Sequence, residues 1–207
     1  MIVIIDYGMG NLKSVKNALD FLRLESKISS DVKEIKNADG LILPGVGAFP
    51  DAMSTIEKLS LDKIIKEEVN NGKPLLGICL GMQLLFEHGF EGAKRNGLGL
   101  LKGNVVRMKE DKKNNIKIPH IGWNNLIYNK KDELFSSLEE GEFVYYVHSY
   151  FAKDYNEEDL IAYSEYGLNK IPGVVRCNNI MGAQFHPEKS GTVGLAILKN
   201  FGELIKW

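Results

Sequence analysis

The sequence predicts an α/β fold: a mixed, largely parallel central sheet flanked by helices, with antiparallel strands in the second half. Two patterns predict it. Short runs rich in Ile, Val and Leu alternate with helical periodicity through the first half, and strand-like runs separated by short turns fill most of the remainder. Repeated βα units need a parallel sheet, because each crossover lays a helix back across the strands it joins. A chain of 207 residues suits one domain, residues 1–207, and suffices to bury a sizeable core.

Each element has a local cause. Residues 2–5 (Ile-Val-Ile-Ile) open as a strand, and Leu12, Val15, Leu19 and Leu22 follow at helical spacing behind Asn11, a candidate N-cap. Residues 41–43 form the next strand, followed by a glycine turn and a helix from about Pro50. A further helix spans about 61–71 and stops at Gly72, before a buried strand at 75–78. Beyond it, strands are expected at 104–107, 142–147, 160–163, 173–177 and 180–185, with a polar surface loop at 109–115. Cys177-Asn178-Asn179-Ile180 has hairpin chemistry, since Asn tolerates positive φ, and a helix over about 192–205 closes the chain.

Composition excludes several classes. With 26 Lys and Arg against 27 Asp and Glu, the chain lacks the basic footprint that drives nucleic-acid binding. The longest mainly apolar stretch, 74–86, is interrupted by Gly77, Gly81 and Gln83, and the N-terminus has neither the charge nor the length of a signal peptide, so no membrane association is expected. Two cysteines make no disulfide framework; Cys79 and Cys177 are expected as free thiols in the cytoplasm, Cys177 as a buried structural one. His88, His120, His148 and His186 lie far apart, with no metal-ligand spacing. Gly8-Met9-Gly10 lacks the third glycine of a dinucleotide fingerprint, position 13 being Lys13, and no Walker pattern exists, so no cofactor is expected.

Three segments carry chemistry. Gly77-Ile78-Cys79-Leu80-Gly81 sits between an apolar strand and an apolar helix, the context of a nucleophile elbow with Cys in place of Ser. Such a turn is sharp, so residues two positions either side must lack a Cβ for strand and helix to approach. At a helix N-terminus, orphan amides and the helix dipole favour the thiolate. Taken alone, Cys79 reads equally well as a small buried hydrophobe. His186-Pro187-Glu188 supplies a base and a group to orient it: in extended chain, positions 186 and 188 face one side, toward the carboxyl ends of the parallel strands. Leu43-Pro44-Gly45-Val46-Gly47 ends another parallel strand, and its glycines let amides turn toward an oxyanion beside the Leu80 amide.

Together, Gly77-Ile78-Cys79-Leu80-Gly81-Met82-Gln83 and Phe185-His186-Pro187-Glu188 resemble the triad (class I) glutamine amidotransferases, whose fold is flavodoxin-like. The match is closer to one branch, the glutaminase subunits of imidazole glycerol phosphate synthases. Ile5 to Asn11, Pro44-Gly45-Val46-Gly47-Ala48-Phe49, Gly122-Trp123-Asn124, Val147-His148-Ser149-Tyr150 and His186 to Ser190 all resemble that branch. One departure is His120-Ile121, where Gln-Met is more usual; it bears on partner contact.

The resemblance implies a glutaminase. Cys79 would attack the side-chain amide carbon of glutamine, His186 would activate the thiol and protonate the departing ammonia, and Glu188 would hold the imidazole. The amide of Leu80, with one from Val46 or Gly47, would bind the oxyanion. Gly47, Gln83, His148 and Ser149 match positions that hold the amino-acid end of the substrate, the last two through their backbone. Ammonia would pass to a cyclase subunit with a (β/α)₈ barrel, the heterodimer partner. Asn11, Trp123, Asn124, Tyr145 and Lys189 match positions near that docking face. Without the partner the chain is expected to be nearly silent, Gly45 and Gly47 letting an oxyanion amide flip. The competing readings are a glutaminase subunit feeding a different synthase, a thiol hydrolase, and a silent regulatory module of the same fold.

Overall fold

The computed structural model describes residues 1–111, 113–114 and 116–205. Lys112 and Asn115, within the loop expected at 109–115, lie outside the described residues; around them Asp111 and Ile116 form an isolated antiparallel bridge.

The first half builds the parallel sheet. Strands β1 (Ile2–Ile5), β2 (Ser26–Ser29), β3 (Gly40–Gly45) and β4 (Leu75–Cys79) are joined through helices α1 (Leu12–Phe21), α2 (Val32–Asn37), α3 (Phe49–Lys58) and α4 (Leu61–Asn70). The second half contributes β14 (Ile180–Ala183), parallel to β4, then β13 (Asn169–Cys177), β12 (Leu160–Tyr166) and β9 (Ile127–Tyr128), each antiparallel to its neighbour. The order is β2-β1-β3-β4-β14-β13-β12-β9. Two smaller sheets stand beside it: β11 (Tyr150–Lys153), β7 (Leu101–Arg107), β5 (Phe86–Gly89) and β6 (Arg95–Asn96) in one, and an antiparallel ribbon of β8 (His120–Asn125) and β10 (Phe143–His148) in the other.

Period-two alternation along the central strands splits the core in two. Ile2 and Ile4 face one side, with Val15 and Leu19 of α1 and Ile197 and Phe201 of α6 (Gly191–Leu204). Val3 and Ile5 face the other, with Met53 of α3 and Ile65 and Val69 of α4. Four fully apolar residues in β1 therefore signal burial on both faces, which only helices on both sides provide.

Several expectations change. Asn11 occupies the N-cap position of α1, yet its side chain makes no capping bond. The edge strand β2 is Ser-Lys-Ile-Ser, too polar for an apolar-run criterion, and α2 is a six-residue helix started by Asp31, whose carboxylate accepts from Lys33 and Glu34. The helix after Cys79 is a single short one, α5 (Leu80–Leu84), because the chain turns at once into β5. The hairpin at 177–180 forms as expected, with Asn178 at φ +54°. Cys177 is half-buried rather than buried, and its thiol pKa is raised by burial and by Asp159. Among the described residues, no helix is long and apolar enough to cross a membrane.

Ile4 is fully buried, whereas Phe21, at the end of α1, is 76% exposed. Ile4→Ala is expected to lower the unfolding free energy by about 2–5 kcal/mol in denaturant titration. Phe21→Ala should change it by less than about 0.5 kcal/mol.

Candidate active site

Cys79 ends β4 with φ +55° and ψ −111°, a strained backbone for a residue with a side chain. The surrounding glycines make the strain tolerable. A Cβ on Gly77 would lie 2.7 Å from the Gly81 carbonyl oxygen, and one on Gly81 would lie 1.7 Å from the Leu43 carbonyl oxygen. The strand, the turn and α5 thus approach at backbone contact, as the sequence spacing requires. Gly45 is closed in too, its Cβ position 2.6 Å from the Tyr7 hydroxyl and 2.9 Å from the Gly81 nitrogen. Its role is therefore close approach; positive φ in this segment belongs to Gly47, at +102°. Tyr7 donates to the Pro44 carbonyl at 2.9 Å and ties down the base of the 45–47 segment.

Register brings the second segment in. Ala183 of β14 pairs with Ile78 of β4, and the chain continues through Gln184 and Phe185 to His186, whose amide donates to the Tyr145 carbonyl at 3.0 Å. His186 Nδ1 and Glu188 Oε1 are 2.8 Å apart, with side chains only 3% and 1% exposed. The extended chain expected here is not what joins them. His186 is extended, but Pro187–Lys189 is a 3₁₀ turn, and its curl returns the Glu188 carboxylate to the imidazole. Buried Ser190 supports the turn, donating to the His186 carbonyl at 2.7 Å and accepting from the Tyr145 amide at 2.9 Å.

A cleft of about 300 Å³ is lined by Val46, Gly47, Cys79, Leu80, Gln83, His148, Ser149 and His186, with Glu91, Val147 and Tyr150. The expected nucleophile, base, oxyanion amides and substrate-holding residues thus converge, with Glu188 behind His186. A slightly larger cavity, about 350 Å³, opens beside Arg107, Lys109, Lys153 and Lys170, and none of the converging residues lines it. Asn11, Trp123, Asn124, Tyr145 and Lys189 do not line the cleft. Trp123 and Tyr145 are directly opposed across the β8–β10 ribbon, their rings edge to face at 5.9 Å. Asn124 donates to the Glu165 carbonyl at 3.0 Å, and Lys189 ends the 3₁₀ turn with its side chain exposed.

The histidines of the site are tuned in opposite directions. Burial works against a charged His186, but the Cys79 thiol and the Glu188 carboxylate outweigh it and raise its pKa to about 9. Its Nε2 is buried with no hydrogen-bond partner among the described residues, a cost characteristic of groups kept for chemistry. Burial drives His148 down to about 3 and His120 to about 4, so both are neutral at pH 7. His148 Nδ1 lies 2.8 Å from the Tyr150 carbonyl and its Nε2 lies 3.1 Å from His120 Nδ1; this imidazole is occupied on both sides and unsuited to act as a base. What the arrangement can do is nucleophilic acyl transfer: a thiol at a helix start, an imidazolium held by a carboxylate, and amides at Leu80 and the 46–47 segment.

Sequence reasoning missed Glu91, which lines the cleft while its Oε2 accepts from the Phe49 amide at 2.8 Å. Nothing in Phe-Glu-Gly-Ala marks that carboxylate, since the contact spans 42 positions. Ile121, Phe143 and Val147 are exposed on the same ribbon as Trp123; alternation along the strand expected at 142–147 was the signal for Phe143 and Val147, whereas no strand was expected around Ile121.

Comparisons with known proteins agree with this geometry. The model of the family described as "Glutamine amidotransferase class-I" matches residues 3–204. The chain is 54% identical over 207 residues to a protein of Caldanaerobacter subterraneus subsp. tengcongensis named "Imidazole glycerol phosphate synthase subunit HisH", covering 100% of this chain and 99% of that one. It is 53% identical over 204 residues to a protein of the same name from Listeria monocytogenes, covering 99% and 96%. A solved structure titled "Crystal structure of glutamine amidotransferase" superposes with a TM-score of 0.78 at 19% identity, covering 100% of both chains. "Structure of PurLQS from Thermotoga maritima" gives 0.75 at 19% identity, covering 98% and 97%; at such identity both structures speak for the fold alone. With its elbow, its buried His–Glu pair and a family match over nearly its whole length, the chain belongs to the class-I glutamine amidotransferase family.

Proposed function

We propose that this protein is the glutaminase subunit of an imidazole glycerol phosphate synthase, hydrolysing glutamine and handing the ammonia to a cyclase subunit in histidine biosynthesis. The observation that carries the reading is the cleft in which Cys79, on its glycine-locked elbow, meets the His186–Glu188 pair. Relatives more than half identical over the full chain support the choice of synthase.

The residues take the following roles. The Cys79 thiolate attacks the side-chain amide carbon of glutamine. Leu80 N–H and an amide of Val46 or Gly47 hold the oxyanion as it forms. His186, as imidazolium, gives its proton to the departing ammonia, leaving a glutamyl thioester; neutral, it then takes a proton from the water that releases glutamate. Glu188 fixes the Nδ1–H tautomer and stabilises the cation. Gly47, Gln83, His148 and Ser149 hold the amino-acid end, and the Glu91 carboxylate supplies charge for its ammonium.

Ammonia released to water would be protonated and lost as a nucleophile, so the subunit must dock on its acceptor. The docking face is the outer side of the β8–β10 ribbon, where Ile121 and Trp123 are 59% and 56% exposed beside Phe143, Tyr145 and Val147. Exposed aromatic and branched side chains on one small ribbon have the composition of an interface core. Val147 also lines the cleft, so the face borders the site of ammonia release. The partner is a cyclase with a (β/α)₈ barrel, Asn11, Asn124 and Lys189 lie at the rim of the contact, and the complex works in the cytoplasm without nucleic acid, membrane or cofactor.

Glutamate release by the purified chain alone should be low, rise strongly with the cyclase and its ribonucleotide substrate, and vanish in Cys79→Ala. Equal turnover with and without the loaded partner would defeat the channelling reading. Trp123→Ala should weaken cyclase binding at least about tenfold by calorimetry, while the melting temperature of the isolated chain stays close to wild type.

The His186 pKa gives a pH test. It is raised above the ordinary 6.5, so the stabilisation it adds is fully present below pH 6.5 and is lost as pH rises through about 9. Glutaminase activity of the complex should fall over the same upper range as the proton for ammonia is lost. In Glu188→Gln the imidazole midpoint, followed by NMR, should drop, because burial then acts with one fewer opposing partner.

A further inference from the structure

Five buried polar side chains near the cleft lie outside the triad: Gln83, Gln184, His148, His120 and, half-buried, Asn124. Each such group needs a partner, and these find one another in a continuous chain. Its hub is the Tyr150 carbonyl, which can only accept. On one side His148 Nδ1 approaches it at 2.8 Å, and His120 Nδ1 meets His148 Nε2 at 3.1 Å. On the other, Gln83 Nε2 donates to it at 2.8 Å and to Gln184 Oε1 at 3.1 Å, and Gln184 Nε2 reaches the Cys79 sulfur at 4.0 Å.

The carbonyl sets the direction of every bond. His148 must carry its proton on Nδ1, which makes Nε2 an acceptor and His120 Nδ1–H the donor to it. Gln83 must turn its NH₂ inward, and its second hydrogen obliges Gln184 to present oxygen there. The other end of the Gln184 amide, the NH₂, is thereby aimed at the sulfur. A fully buried glutamine cannot turn over without placing two donors against each other at one end and a carbonyl oxygen against the sulfur at the other. His120 is held in its place between the rings of Tyr146 and Tyr166, at 4.7 and 4.0 Å.

We infer that Gln184 is a donor to the nucleophile, an N–H that stabilises the Cys79 thiolate beside the charge of His186 and is oriented through Gln83 by the Tyr150 carbonyl. The inference rests on Cys79 being the nucleophile of the proposed glutaminase. Among the described residues, His186 and Tyr7 are the titratable groups that interact with Cys79, and Tyr7 already gives its hydrogen to Pro44. Among the described side chains, Gln184 is the uncharged donor aimed at the sulfur, beside the main-chain amides at the start of α5.

The test is the pH profile of Cys79 alkylation by iodoacetamide, in a Cys177→Ser background so that a single thiol reports. Gln184→Met removes the donor at nearly constant length, and Gln184→Glu puts a carboxylate in its place. The alkylation midpoint should rise by about one pH unit in Gln184→Met, a tenfold loss of thiolate at a given pH below it, and further in Gln184→Glu. Unchanged melting temperature and circular dichroism with a midpoint equal to wild type would overturn the inference. If neither variant folds, wild-type protein carries the test: the Gln184 side-chain amide resonance should move as the Cys79 thiol ionises, and a resonance that stays put overturns it. Failure of the glutaminase reading is separate, showing as no glutamate release by the wild-type complex.

Discussion

The site depends on one contact, the approach of the Gly81 backbone to the Leu43 carbonyl. At that distance no Cβ fits, so α5 lies against the end of β3. The contact fixes the elbow, and the elbow forces Cys79 to positive φ. It also sets the proposed oxyanion segment beside Cys79, because β3 ends at Gly45 and leads directly into Val46 and Gly47. Strain at a single non-glycine residue costs on the order of 1–3 kcal/mol and persists only where its surroundings over-determine it. Here β3, β4 and β14, parallel and fully buried at the elbow, do so.

Charge in the site follows from which partners burial leaves. Three imidazoles lie within the same small region, and desolvation acts against the cationic form of each. Only His186 has a carboxylate and a thiol beside it, and it alone is held protonated into alkaline solution. His120 and His148 face each other and a backbone carbonyl, so they remain neutral and serve as fixed dipoles. The same residue type is thus held charged in one place and neutral in the other, and the difference lies in the thiol and the carboxylate that stand beside His186.

Much of this was legible in the sequence. β1, β3 and β4 are apolar at nearly every position, and Gly77-Ile78-Cys79-Leu80-Gly81 announces its turn by what is missing at two positions. His186 and Glu188 meet, and His186 is extended as expected, but Pro187–Lys189 is a 3₁₀ turn rather than extended chain, because Pro187 suits the first position of such a turn equally well. Short polar elements were invisible: β2, β5 and β6 owe their existence to neighbours rather than to their own pattern. Glu91 and Gln184 escaped for a related reason. Their roles come from contacts across 42 and 105 positions, and no local spacing encodes them.

The β8–β10 ribbon has two sides of different character. Along β10, Phe143, Tyr145 and Val147 point outward, and Val144, Tyr146 and His148 point in. Successive residues of a strand alternate between its faces, so the two sets are interleaved rather than segregated. Insertion or deletion of one residue in this strand would exchange them, burying the exposed set and exposing the histidine and tyrosine of the inner wall. Drift in the length of this segment is therefore barred twice over. The outer surface can diversify only by substitution in place, and whatever it presents stays in register with the wall of the cleft behind it.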